Sequence, residues 1–241
     1  YNEMRDKMLE MNETKSKHNI VKALELLLRV RQVCCHPITF IEGMEKKYKK
    51  QLYSSQKSNC TKLSKIIKDI NSTPKDDKCL IFCHFIREMD FYCDELKTNG
   101  HNYARLDGSM DNSKRTFNVN KFNTDTSCKV LVIQVQAGGV GFNFQIANRI
   151  YITSPTWNPS LQHQIIGRAH RTGQKKEVFV KIYSIKSKNE NETFIEDYII
   201  NLQNLKMKMI AEVLSDERLC SETSIKTISF EEVLKMFKKQ L

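Results

Sequence analysis

KVLVIQVQAGGVGFNFQIANRIYITS, residues 129–154, carries the pattern that decides the architecture. Its first six residues are an apolar, β-branched run of the kind a strand needs when both faces of a parallel sheet are covered. Gly138, Gly139 and Gly141 follow, and then a second apolar run, RIYITS at 149–154. The same rhythm continues outward in both directions. KCLIFC (78–83), NYARL (102–106) and VFVKIYSI (178–185) read as strands. FIREMDFYCDELKTNG (85–100), NSKRTFNVNKFN (112–123) and SLQHQIIGRAHR (160–171) read as helices, the first stopped by Gly100. Strand alternating with helix over 78–185 predicts an α/β fold, a parallel sheet with helices on both faces.

The flanks differ in character. Residues 1–35 predict a helix, with Val21, Leu24, Leu27, Leu28 and Val30 at three-and-four spacing and no breaker before Pro37. The polar, Lys/Ser-rich stretch 38–60 reads as flexible, and TKLSKIIKDIN (61–71) as a short helix. A long helix is expected over 191–214, then a polar segment, 215–241, with one amphipathic piece around FEEVLKMF. The division expected is a helical segment and linker at 1–60, the sheet-bearing lobe at 61–190, and a C-terminal helix and tail at 191–241.

Of the 241 residues 40% are hydrophobic, enough for one generous core with appended helices. The formal charge of +11 favours polyanionic partners, but Lys, Asn and Ile recur throughout and charge alone carries little weight. Eight cysteines show no C-x-x-C spacing, and Cys34-Cys35-His36 are consecutive. That suits neither a zinc knuckle nor a disulfide framework, and predicts small buried hydrophobes in a reducing compartment. No apolar run reaches membrane-span length and no signal pattern opens the chain, which reads as a soluble, intracellular piece of a longer polypeptide.

Ligands of an open parallel sheet bind outside the carboxyl ends of its strands, so the segments after each strand are the candidates. VQAGGVGFNF follows the strand at 129–134; its glycines allow close backbone approach and a nest of amide donors, or else form a plain connection. PTWNPS (155–160) exposes the only tryptophan, Trp157, as a flat face for a base or sugar, with Asn158 beside it. DGSMDNSKR follows Arg105 with a turn at Asp107-Gly108 and a cap for the next helix from Ser109 or Asp111. His84 ends its strand as either a satisfied polar residue or a contact. QIIGRAHRTGQ (164–174) sets Gln164, Arg168 and Arg171 on one side of the expected helix. The pair is either a solvated basic face or a phosphate clamp, since guanidinium presents planar paired donors to phosphate oxygens.

LRVRQVCCHP, KCLIFCHFIREMD, YARLDGSMDNSKR, residues 122–152, PTWNP and QIIGRAHRTGQ, in this order, closely resemble the second RecA-like lobe of the SWI/SNF-related DNA translocases. Within those ATPases the resemblance is greatest to the helicase-like-transcription-factor branch, and it runs from about residue 24 to about 200. It implies ATP, with Mg, bound between two RecA-like lobes. Arg168 and Arg171 then stabilise charge on the transferring phosphoryl group, and Gln164 positions nucleotide or water. Gly138, Gly139 and Gly141 match the loop that couples the nucleotide cleft to the DNA groove, with Gly139 and Gly141 on the nucleotide side. His84, Arg105, Gln136, Gly138, Trp157 and Asn158 inherit contacts to the backbone of double-stranded DNA, largely independent of sequence.

Departures from the family pattern stand at Gln134 (usually Ser or Thr), Gln136 (often Arg or Lys), Ser154 (usually acidic) and Gly167 (commonly Asp). Residues 38–60 hold only Cys60 and cannot build the RING finger that branch often carries there. No G-x-x-x-x-G-K-[ST] and no acidic box occurs, so the Mg–ATP cradle is expected on a separate N-terminal RecA-like lobe of the same polypeptide. Alternatives are a catalytically silent DNA-binding or scaffold module and a strand-separating helicase. Nucleosomes, transcription complexes and stalled replication intermediates are all compatible targets, in a nucleus. Residue bias and the short linker also resemble versions of this ATPase in large DNA viruses, for which virion or viral factory replaces the nucleus.

Overall fold

The computed structural model describes residues 17–48, 60–138, 141–186 and 194–215. Helices α1 (Lys17–Cys35), α2 (Pro37–Tyr48) and α3 (Thr61–Asn71) precede strand β1 (Cys79–Cys83). Then come α4 (Ile86–Thr98), β2 (Asn102–Leu106), α5 (Asn112–Thr124), β3 (Cys128–Gln134) and the single helical turn α6 (Val135–Gly138). Strand β4 (Arg149–Ile152), α7 (Pro159–Ile166), β5 (Phe179–Ile182) and α8 (Ile195–Ser215) complete the order. Two compact units result, residues 35–184 in one and residues 1–34 with 185–241 in the other. The division expected from sequence instead cut the chain at 60 and 190. Among the described residues no helix is long and apolar enough to cross a membrane.

Residues 35–184 are organised by a five-stranded sheet in the order β2-β3-β1-β4-β5. Every pairing is parallel, with Cys79 opposite Val130 and Arg149, and Arg149 opposite Phe179. The amino ends of the central strands are therefore level, and the segments that follow the strands leave from one edge. Central β1 is buried at all five positions, which is why CLIFC has no polar alternation. Side chains still alternate between faces. Leu80, Phe82, Leu131, Ile133, Ile150 and Ile152 pack with Val119 and Phe122 of α5, Phe144 and Ile165 of α7. On the other face Ile81, Val130, Val132 and Tyr151 pack with Ile66 and Ile70 of α3 and with Met89, Tyr92 and Leu96 of α4.

Charged groups close the amino edge. Buried Lys78 donates to the carbonyls of Phe122 and of Asp125, the latter at 2.8 Å, neutralising the C-terminal end of α5. Arg149 holds Asp77 through Nε and Nη2, both at 2.8 Å, while its guanidinium lies 3.9 Å from the Phe179 ring centroid. Seven cysteines among the described residues are free, and all are buried, as small hydrophobes should be.

Two elements depart from expectation. PITFIEGMEKKY, assigned to a flexible stretch, is helix α2. Pro37 is pre-set for the first helical position, and Arg87 of α4 grips Glu42 with two parallel bonds of 2.7 Å. Residues 49–59, the rest of that stretch, lie outside the described residues, as do 1–16 of the first predicted helix. The second departure is the end of α7, at Ile166 rather than Arg171.

His36 shows what the Cys-Cys-His-Pro element does. Its ring is buried, stacks on Phe91 with centroids 3.9 Å apart, and accepts the Ile38 amide on Nδ1 at 3.2 Å. Burial, reinforced by Arg87, lowers its pKa to about 4, so the folded protein holds a neutral imidazole. A base whose folded pKa is depressed contributes its stability above the unfolded value and loses it as pH falls. Unfolding stability should therefore decline from about pH 6.5 toward 4 with a slope approaching about 1.4 kcal/mol per pH unit. Urea titrations of wild type and His36→Phe across that range check it, and the variant should show the shallower slope.

Candidate functional site

The segments leaving the carboxyl ends of the strands are tied to one another before any ligand is considered. After β1, Glu88 of α4 is buried and its Oε2 accepts the amides of His84 (2.9 Å) and Phe85 (3.3 Å), capping its own helix. Burial pushes the Glu88 carboxyl up, against the pull of those amides. His84, also buried, sets Nε2 2.8 Å from the carbonyl of Ser154, which fixes the Nε2–H tautomer. The loop after β1 is thereby clamped to the loop after β4. Ser154 is fully buried, so the position where the family usually carries an acid faces the interior here. Beyond it Thr156 Oγ1 donates to the Asn158 carbonyl at 2.8 Å, and Asn158 caps α7 by accepting the Ser160 amide at 3.0 Å. Trp157 is half-buried and Asn158 exposed.

After β2, Arg105 is a cross-brace. Its Nη1 bonds Asp90 at 2.6 Å and its Nε bonds Asp107 at 2.7 Å. Burial alone would lower the guanidinium's pKa, but the two ion pairs raise it; Asp107, which burial would raise, is lowered by the bonds from Ser109 and Arg105. Asp90 also meets Arg87, which holds Glu42. This network sets three carboxylates against two guanidiniums, so it offers no net positive field to a phosphate. Ser109 spends its amide (2.9 Å) and hydroxyl (2.5 Å) on Asp107, and the Gly108 amide is taken by Gln134 Oε1 at 2.8 Å. The departure at Gln134 has a physical account: its longer side chain spans from the end of β3 to the turn after β2.

After β3, Gln136 is exposed on α6, whose last residue is Gly138; Gly139 lies outside the described residues. Gly141 is exposed, has no positive φ, and a Cβ there would meet nothing within 4 Å. Nothing internal therefore demands glycine at 141.

The arginines are presented differently from the helix-face expectation. Gly167 caps α7 in an αR conformation (φ −63°), and the Arg168 amide reaches back only three residues, to Ile165, at 3.3 Å. Glycine weakens the helix, and the last turn tightens into i→i+3 bonds. Arg168 and Arg171 thus ride on consecutive turns, with Arg171 N to Ala169 O at 3.1 Å and Gln174 N to Arg171 O at 3.0 Å. Gln164, still within α7, and Arg171 are exposed, while Arg168 is half-buried. Among the described residues Arg171 forms no salt bridge, so its charge is available to solvent or a ligand.

Nor does this turn lie with the carboxyl-edge loops. Two residues beyond Gln174, toward β5, Lys176 Nζ pairs with Asp77, which precedes β1, at 3.0 Å. The turn flanks the face covered by α5 and α7, where the Arg168 carbonyl accepts the Phe144 amide at 3.0 Å. A residue that sequence reasoning left without a role, Gln174, closes it: Nε2 lies 2.9 Å from the carbonyls of Gln145 and Ala147 and 3.3 Å from that of Ala169. The only signal for it was its place at the end of QIIGRAHRTGQ. Among the described residues no three His, Cys, Asp or Glu side chains gather in a metal-holding group.

A five-stranded parallel sheet of this order with helices on both faces is a RecA-like α/β fold. Residues 58–173 match the helicase conserved C-terminal domain. The human helicase-like transcription factor is 31% identical over 73% of this chain and 17% of its own length. The Arabidopsis thaliana DNA repair protein RAD5B is 30% identical over 69% of the chain and 12% of its own length. The human SWI/SNF-related matrix-associated actin-dependent regulator of chromatin subfamily A member 1 is 27% identical over 99% of the chain and 22% of its length. The crystal structure of the C-terminal part of the Fun30 ATPase domain shares the fold, with TM-score 0.65 and 21% identity over 99% of this chain and 92% of that one. The chain belongs to the SWI/SNF-related helicase family and carries its C-terminal lobe. It spans less than a quarter of these full-length relatives.

The clamp after β1 is open to direct test. Glu88→Ala strips the acceptor from two amides and should destabilise the protein by about 1–3 kcal/mol in urea unfolding, whereas Glu88→Gln, which keeps an acceptor oxygen, should lose less.

Proposed function

We propose that this chain is the C-terminal motor lobe of an ATP-dependent translocase on double-stranded DNA that remodels protein–DNA complexes. The observation that carries the reading is Arg171, an exposed guanidinium without a carboxylate partner among the described residues, held on a turn braced from several sides. A cation that the fold leaves uncompensated, next to a half-buried second arginine, suits a triphosphate arriving from outside the lobe. Hydrolysis of ATP supplies the free energy for stepping. Arg171 and Arg168 would hold the γ-phosphate oxygens as charge builds on them, and Gln164 would orient nucleotide or water. These residues fit the phosphate end of the nucleotide and offer no carboxylates for Mg. The metal and the rest of the cradle fall to an N-terminal RecA-like lobe of the same polypeptide.

The DNA path runs over the carboxyl edge. Gln136 and Gly138 would approach the backbone closely, Trp157 with Asn158 would lie along it, and Gly139 and Gly141 would approach the nucleotide from the other side of the same loop. Gly141 fits that role because no internal contact or dihedral explains its glycine. His84 and Arg105 serve the same surface indirectly, since their polar groups are committed to Ser154 and to Asp90 and Asp107. Relatives named for DNA repair and for regulation of chromatin support nucleosomes or transcription complexes as the target, in a nuclear setting.

Arg171→Ala in the complete protein separates this reading from a silent DNA-binding or scaffold module. DNA-stimulated ATP hydrolysis should fall by about a thousandfold or more, with DNA binding retained. An unchanged rate sinks the motor assignment. Strand displacement on a forked duplex should be absent; robust unwinding would replace translocation by helicase action.

A further inference from the structure

We infer that Gln174 and Gln145 are reciprocal positioning residues that hold Arg171 in register with the segment 143–147. The inference rests on the role proposed for Arg171. Residues 167–174 belong to no regular element, so the place of Arg171 depends on what grips the chain on either side of it.

On the far side, the Gln174 amide engages both its protons and its oxygen. Nε2 gives its two protons to the Gln145 and Ala147 carbonyls at 2.9 Å and leans toward Ala169 O at 3.3 Å, while Oε1 accepts the Lys176 amide at 2.9 Å. The Gln145 side chain returns the contact, donating from Nε2 to the Thr172 carbonyl. Its orientation is fixed by Asn143, whose Nδ2 donates to Gln145 Oε1 at 3.1 Å and whose Oδ1 accepts the Gln145 amide at 3.0 Å. Between the two anchors sits Gly173, at φ +100°, packed so that a Cβ would fall 3.4 Å from Gln145 Nε2. Thr172, next to Arg171, and Gln174, three residues on, are thus both tied to one short segment from 27–29 residues upstream.

That segment begins two residues after Gly141, at the end of the glycine loop. A shift of the loop therefore moves the anchors of Arg171 directly. The chemistry at 174 is specific to a neutral amide: a carboxylate would set negative oxygen against three carbonyls, and alanine would leave the carbonyls without their donor. Fixing the arginine before nucleotide arrives is worth rate, because misplacing a catalytic group by about 1 Å costs about 10²-fold.

Steady-state ATP hydrolysis by the complete protein with saturating duplex DNA tests this, comparing Gln174→Ala, Gln174→Glu, Arg171→Ala and the double variant Arg171→Ala/Gln174→Ala. Both Gln174 variants should lose kcat by about 10²-fold with KM for ATP nearly unchanged, and the double variant should be no slower than Arg171→Ala alone. Gln145→Ala, which removes the bond to Thr172, should show the same pattern and serves if a Gln174 variant fails to fold, as judged by its melting curve. Near-wild-type kcat in Gln174→Ala or Gln145→Ala while Arg171→Ala is inactive overturns the inference and leaves the motor reading standing. Multiplicative losses in the double variant also overturn it, since they separate Gln174 from Arg171. A fully active Arg171→Ala is a different failure, that of the parent reading.

Discussion

A guanidinium can stabilise a developing phosphoryl charge only if it is held still, and this lobe holds Arg171 without a helix. The turn from Gly167 to Gln174 closes several short backbone bonds of its own, and hydrogen bonds with Phe144, Gln145 and Ala147 fix it against the segment before β4. Those three residues lie in the stretch that leads from the glycine loop into β4. The same stretch delivers Phe144 to the core beneath α7. Packing, loop and arginine are therefore one mechanical unit, anchored on a sheet whose central strand is wholly buried.

The carboxyl edge follows a related logic. Glu88 gathers two amides, His84 crosses to Ser154, Gln134 crosses to Gly108, and Arg105 joins Asp90 to Asp107. Each bond links a segment leaving one strand to another element, so the edge is presented as a braced surface rather than separate loops. Its charge is more balanced than the chain's +11 leads one to expect. The network around Arg105 holds one carboxylate more than its guanidiniums. On the proposed DNA path, a backbone would approach more easily near Gly138 and Trp157 than at Arg105.

Sequence gave access to the elements because their signals are local. Apolar runs mark strands buried on both faces, and NYARL, TKLSKIIKDIN and the helix start after Asp111 match the structure closely. It was silent wherever a distant segment decides the outcome. Helical periodicity runs on through Gly167 to Arg171, yet the backbone tightens at Gly167 and the helix stops at Ile166. Helix α2 is tied to α4 by the Arg87 grip on Glu42, 45 residues away, a contact that no local pattern reveals. The DNA contacts of His84 and Arg105 come from the family resemblance, whereas their internal partners have no local signal, since Ser154 lies 70 residues from His84 and Asp90 lies 15 from Arg105. Gln174 went without a role for the same reason, its partners being a set of carbonyls that carries no sequence signature.

The central claim is that Arg171 reaches across to a triphosphate held by the neighbouring lobe. A structure of the complete protein on duplex DNA with ADP and aluminium fluoride tests it most directly. The account predicts an Arg171 guanidinium nitrogen about 2.7–2.9 Å from the fluoride, with the bonds from Gln145 and Gln174 in place. An occupied nucleotide site with Arg171 left in solvent, or drawn to a carboxylate, would contradict it.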